Sequence, residues 1–148
     1  MRQLMKASLL AMMIAAPAAM AQNASPAGMW KTIDDETGKP KALVRVTDEG
    51  GVLTGKIEKL FRPADQDQNP KCTACEGARK DQPIIGMIIL SGLKKDDNEY
   101  TGGEILDPAK GKTYKSKATL KDNGSKLEVR GYIGAPMFGR SQTWVREQ

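Results

Sequence analysis

The run Leu127–Arg146, LEVRGYIGAPMFGRSQTWVR, decides the fold. Its first half alternates, with Leu127, Val129, Gly131 and Ile133 on one side and Glu128, Arg130 and Tyr132 on the other. That period of two is the signature of a strand with one wet face. Gly134, Pro136 and Gly139 interrupt it, and the extended pattern resumes through Arg146, so the run reads as a hairpin. It holds three of the chain's seven aromatic residues (Tyr132, Phe138, Trp144) and the arginines Arg130, Arg140 and Arg146. Leu127, Val129 and Ile133 form its natural inward set. The hairpin is expected to close a small barrel onto the strand that carries Trp30, at the other end of the domain.

The preceding chain fits that expectation. Gly28–Asp34, Pro40–Thr47, Val52–Phe61, Ile84–Leu93, Glu99–Leu106 and Lys112–Leu120 read as strands separated by turn residues such as Gly38, Gly50-Gly51 and Asp122-Asn123-Gly124. In Lys112–Leu120, Tyr114, Ser116, Ala118 and Leu120 share one face, and Thr113, Lys115, Lys117 and Thr119 the other. With the C-terminal hairpin this makes an all-β domain, a single antiparallel up-and-down β-barrel of about eight strands, which leaves no exposed sheet edge. The repeated Lys, Glu and Thr faces lack the apolar outer band of a membrane barrel.

Residues 1–21 read as a secretory signal. Arg2 and Lys6 precede a short apolar core, Leu9–Ala16, and Ala19-Met20-Ala21 is a cleavage site before Gln22. No stretch reaches the ~20 apolar residues of a membrane-spanning helix. The single β-barrel domain is then 22–148, in the periplasm or secreted. Without Arg2 and Lys6, 21 basic residues face 18 acidic ones, and they are dispersed, which argues against nucleic acid as a partner. There is no histidine, which removes Ser-His, Cys-His and His-metal chemistry from the chain acting alone.

The segment Arg62–Pro83 breaks the strand rhythm and carries Cys72-Thr73-Ala74-Cys75. In an oxidising compartment the pair reads as a structural disulfide stiffening a long loop, with a thiol redox site as the competing reading. A zinc site would need further Cys or His ligands. Asp65, Asp67, Asn69 and Glu76 have the spacing of a calcium loop, but Pro70 stands where glycine should make the turn. No metal and no cofactor is therefore expected. Asp34-Asp35-Glu36 and Asp96-Asp97 are carboxylate clusters that turn chemistry explains. No catalytic residues emerge, and the protein reads as a non-enzyme.

The candidate ligand-binding residues are Trp30, Arg130, Tyr132, Arg140, Gln142, Trp144 and Arg146. If the arginine-aromatic face lines the barrel, it would hold a carboxylate or phosphate by bidentate arginine contacts. If it faces out, the arginine stems cover Trp144 and Tyr132.

The blocks GMWKTIDDETGKPKALVRV, the C-x-x-C loop, IIGMIILSGL, GGEILDPAKGKTY and LEVRGYIG…GRSQTWVR together resemble the exported bacterial family called domain of unknown function 2147. The resemblance spans nearly all of the chain after the signal. It implies a lipocalin-like (calycin-like) barrel outside the cytoplasm. The wider lipocalin resemblance rests on Gly28-x-Trp30 and a late arginine, and implies that Trp30 packs at the closed end beneath Arg140 or Arg146. The function expected is binding of a small apolar or amphipathic ligand. The alternatives are an envelope protein-interaction module without such a ligand, and a thiol-disulfide redox protein acting through Cys72 and Cys75.

Overall fold

The computed structural model describes residues 25–147; the expected signal, 1–21, lies outside the described residues. Eight strands follow one another: β1 (Gly28–Ile33), β2 (Pro40–Glu49), β3 (Val52–Leu60), β4 (Ile88–Asp96), β5 (Glu99–Asp107), β6 (Lys112–Lys121), β7 (Lys126–Tyr132) and β8 (Gly139–Arg146). Each pairs antiparallel with the next, and β8 returns to β1, closing the barrel. The up-and-down reading of the sequence therefore holds. Most strand limits shift by one to four residues from the sequence expectation, and two of the shifts, at β4 and β7, move residues out of strands. Ile84–Met87 precedes β4: the positive φ of Gly86 makes a turn there, bonded to β3 through Gly86 N to Ile57 O and Ile57 N to Met87 O. Ile133 leaves the inward set because β7 stops at Tyr132. The loop that follows is closed by Ile133 N to Phe138 O and turned by Gly134 at positive φ.

Inward faces follow the sequence period. Trp30, Val44, Val46, Leu53, Ile57, Leu90, Leu93, Ile105, Ala118, Leu127, Val129 and Trp144 are all buried in one cluster. A buried aromatic of tryptophan's size removes about 150–250 Å² from water, worth roughly 4–6 kcal/mol before its entropy cost. The lumen is tightly filled. A Cβ at Gly55 would stand 2.9 Å from Leu90 Cβ, and one at Gly103 would stand 2.7 Å from Leu93 Cγ. Both positions must lack a side chain because a neighbour already occupies the space.

One end of the barrel is shut by the two ends of the domain. Trp30 Nε1 donates to Pro26 O at 2.8 Å, and Pro26 is itself buried. The Arg146 guanidinium lies 4.3 Å from the centre of a Trp30 ring. Its nitrogens donate to Gly124 O (2.7 Å), Ala27 O (2.8 Å) and Ser25 O (2.8 Å). Of the two arginines the resemblance allowed above Trp30, it is Arg146. Arg140 is at the opposite end of β8.

The other end carries the long connections. Cys72 and Cys75 are disulfide-bonded and are 1% and 2% exposed. Their segment folds back on itself through Cys72 N to Gln82 O, Asp81 N to Cys72 O and the Lys71–Pro83 bridge. It then lies as a strap on the β5–β6 turn, with Cys72 Sγ 3.4 Å from Pro108 O. Leu90 pairs with Ile105 inside the barrel, so Ile89 and Leu106 face outward; both are nevertheless buried, in the same cluster as the disulfide. The strap thus extends the core over the outer wall.

Gly111 makes the seating possible. Its φ is +66°, and a Cβ there would collide with the backbone carbonyl of Ala74. Gly111→Ala is expected to lift the strap, lowering stability by about 2–3 kcal/mol from strained φ and overpacking together. Thermal unfolding checks the loss, and faster limited proteolysis within 62–87 than in the parent protein locates it.

Candidate functional site

Register divides the residues that sequence pattern grouped. Leu127 pairs with Trp144, Val129 with Gln142 and Gly131 with Arg140, so these share the inward side. Arg130 pairs with Ser141 and Tyr132 with Gly139 on the outer side. Trp30, Gln142, Trp144 and Arg146 are therefore lumen or end residues, Arg140 is at the rim, and Arg130 and Tyr132 are outside. No single surface contains all seven.

The polar members also have partners. Gln142 Oε1 accepts from Trp144 Nε1 at 3.0 Å. Arg130 braces the β7–β8 turn, donating to Pro136 O (2.6 Å), Ser141 Oγ (3.1 Å) and Gly139 O (3.3 Å). Arg140 bonds Asp35 at 2.6 Å across the rim. Arg146 closes the far end, and burial lowers its pKa from the ordinary arginine value. The arginines that invited an anion are engaged in holding turns and chain ends.

The other candidates resolve into local structure. Asp34 Oδ1 accepts from Glu36 N (2.8 Å) and Thr37 N (2.9 Å), and these bonds hold its carboxyl below the usual range. Asp67 Oδ1 accepts from Asn69 N at 2.9 Å, which is turn chemistry within the acidic loop. The disulfide is buried within the strap, and Cys75 borders a recess at the barrel rim. Inside the barrel, Ser116 Oγ is buried and finds no hydrogen-bond partner among the described residues.

A different set converges at the rim. Between the disulfide strap, the β5–β6 turn and the β7–β8 turn is a recess of about 360 Å³. Arg79 and Lys112 bring positive charge to it, with Glu76 beside them. Leu106, Tyr114 and Ile133 give it an apolar wall. A volume of this size lies at the lower end of the ~300–1,000 Å³ usual for small-molecule sites. A second recess of about 360 Å³ at the other end runs between the β4–β5 and β6–β7 turns, along Tyr100, Leu120 and Asp122. Burial, with Asp48 adding to it, raises the Tyr100 phenol pKa above its ordinary value, so it stays protonated there.

Strand alternation could not reveal the rim recess, since Arg79 reaches it through the fold of the strap and Ile133 through the turn after β7. The available signal was the long loop itself, whose length and cysteine pair mark it as tied down or functional.

Next to the recess is an exposed apolar turn: Ile133, Met137 and Phe138 are 69%, 76% and 68% exposed. Large apolar side chains grouped on a loop tip are a usual mark of an interaction surface.

Comparison with known proteins agrees with the architecture. A family model described as an uncharacterized protein conserved in bacteria (DUF2147) matches residues 28–146. Among solved structures, protein HP1028 from the human pathogen Helicobacter pylori, described as belonging to the lipocalin family, superposes with a TM-score of 0.71. It is 21% identical, and the match covers 84% of each chain. At that identity the likeness is one of fold. No curated protein sequence matches significantly.

Proposed function

The chain belongs to the bacterial family DUF2147, whose model runs from the first residue of β1 to the last of β8, and on that premise we propose that it is a non-catalytic binding protein for a small amphipathic anion held at the rim. The observation that carries this reading is the recess where Arg79 and Lys112 stand beside Leu106, Tyr114 and Ile133. Two cations suit a carboxylate or phosphate head, and the apolar wall suits a short alkyl or aromatic tail. An eight-stranded barrel has an interior just wide enough for side chains or one small ligand. Here Trp30, Trp144 and their neighbours occupy it, which favours the rim over the lumen. The N-terminal pattern of residues 1–21 supports a periplasmic setting, where such ligands meet the protein outside the cytoplasm.

The test is titration with decanoate, decyl phosphate and uncharged decanol, followed by amide shifts. The anions are expected to perturb Arg79, Lys112, Tyr114 and Ile133. The double variant Arg79→Gln/Lys112→Gln is expected to weaken binding roughly tenfold to a hundredfold, the loss of one or two charge-assisted hydrogen bonds. Decanol binding as tightly as decanoate would refute the anion preference. Shifts centred on Trp30 and Trp144 would move the site into the lumen.

A further inference from the structure

The barrel is closed unevenly. β8 is paired with β7 along its length, from Lys126–Val145 to Tyr132–Gly139. Against β1 it pairs only at Trp30–Arg146 and Lys31–Val145, with Glu147 N to Met29 O below them. The register of β1 slips between Thr32 and Ile33, and the strand ends as the chain turns at Asp34. The upper part of β8, Gly139–Thr143, therefore has no β1 partner. Gly139, Arg140, Ser141 and Thr143 are all exposed. Arg140 reaches across the unpaired part of the seam to Asp35. At the top of this edge stand Ile133, Met137 and Phe138.

We infer that the free edge of β8 at Gly139–Thr143 accepts an extended peptide segment of a partner protein as an added strand. In an antiparallel ladder, alternate residues turn their N–H and C=O toward each neighbour. The groups of Gly139–Thr143 that point away from β7 are therefore an unfilled ladder, and strand addition supplies their partners. The edge has the length of a typical strand. The apolar turn receives an aliphatic or aromatic side chain at one end of the peptide. An Asp or Glu of the peptide takes the place of Asp35 on Arg140.

A flexible segment fits this edge better than a second folded copy. Two barrels meeting along so short an edge bury much less than the ~1,200 Å² of a stable interface. A lipid surface fits less well too, because the cations at this end of the barrel face acidic groups: Arg140 pairs with Asp35, and Lys115 on β6 is opposite Glu104 on β5. An anionic membrane selects a basic cluster instead. This proposal shares only Ile133 with the rim recess, and its test does not use Arg79, Lys112 or Ile133.

Hydrogen exchange on the free protein comes first: amides in Gly139–Thr143 should include fast-exchanging ones, while Lys31 and Val145 are protected. A panel of synthetic heptapeptides alternating Val or Ile with Thr, each carrying one Asp, is then added. At least one member should protect alternate amides in Gly139–Thr143. N-methylation of alternate peptide nitrogens should weaken binding about tenfold in one register and leave it unchanged in the other, since one set of backbone bonds is lost. Phe138→Ser, at an exposed position, should lower affinity several-fold without changing the fold of the free protein. The proposal is overturned if no peptide protects these amides at millimolar concentration, or if both N-methylated registers bind alike. It is equally overturned if the edge becomes protected by dimerisation of the protein alone, or only by phosphatidylglycerol vesicles.

Discussion

Replacing Trp30 with alanine is expected to lower the stability of the barrel by about 3–5 kcal/mol, among the largest losses a single substitution produces. Domains of this size have roughly 5–15 kcal/mol in total, so the variant would be marginal at physiological temperature. Three contributions vanish together. The indole is wholly buried, in the core cluster that also holds Val44, Leu127 and Trp144. Its Nε1 holds Pro26 O, and its ring carries the Arg146 guanidinium. The wall cannot collapse into the space, because the surrounding strands are fixed by pairing on both sides. Trp30→Phe separates the contributions: it keeps a ring beneath Arg146 but loses the Pro26 bond, and should cost about 1–3 kcal/mol. Urea denaturation of the two variants measures both. A loss below about 1 kcal/mol for the alanine variant would contradict the packing described for this end.

Arg146→Met should be nearly as damaging, at roughly 2–4 kcal/mol, although the residue is at the protein surface. A guanidinium that donates to Gly124 O, Ala27 O and Ser25 O ties the β6–β7 turn and the entry to β1 onto β8. Methionine keeps much of the stem's contact with Trp30 and supplies none of the donors. Water can reach some of the released carbonyls, which places the loss below three full charge-assisted bonds. Arg146→Lys tests the geometry: its single ammonium cannot reproduce a fork directed at three carbonyls, so it should recover less than half of the loss. Thermal unfolding gives the ranking, and a variant with lysine as stable as the parent would show that charge alone suffices. Increased exchange at Ala27 and Ser125 amides should accompany the loss.

The contrast between β7 and β8 explains how far sequence could lead. Leu127, Val129 and Gly131 alternate cleanly, so the side of β7 that faces the core was legible. The eight-strand order was legible too, because turns such as Gly50-Gly51 and Asp97-Asn98 are short and leave little choice of neighbour. The register of β8 was not. A loop from Ile133 to Phe138 intervenes, and shifting β8 by one residue would exchange Trp144 and Gln142 with Thr143 and Ser141. Whether Arg130 and Trp144 share a face depended on that shift alone. The choice of Arg146 over Arg140 above Trp30 likewise needed the β1–β8 pairing. The rim recess was hidden for a different reason: Arg79, Lys112 and Ile133 meet through the docking of a strap, and no local period encodes that contact. The unpaired upper seam has no sequence signature either, since β1 simply stops at Ile33.

The closure at Arg146 also dictates a timetable. Its bonds to Ala27 and Ser25 join residues 119 and 121 positions apart. A chain that appears from its N-terminus onward presents Trp30 early and must wait for its final residues before that indole gains a roof. Until then β1 has a neighbour on one side only, and a ring destined for the core faces water. Loop-closure entropy makes such distant contacts slow to form. The interval before closure is when the polypeptide is most open to proteases and to association with other unfinished chains, and its length is set by the last strand to arrive.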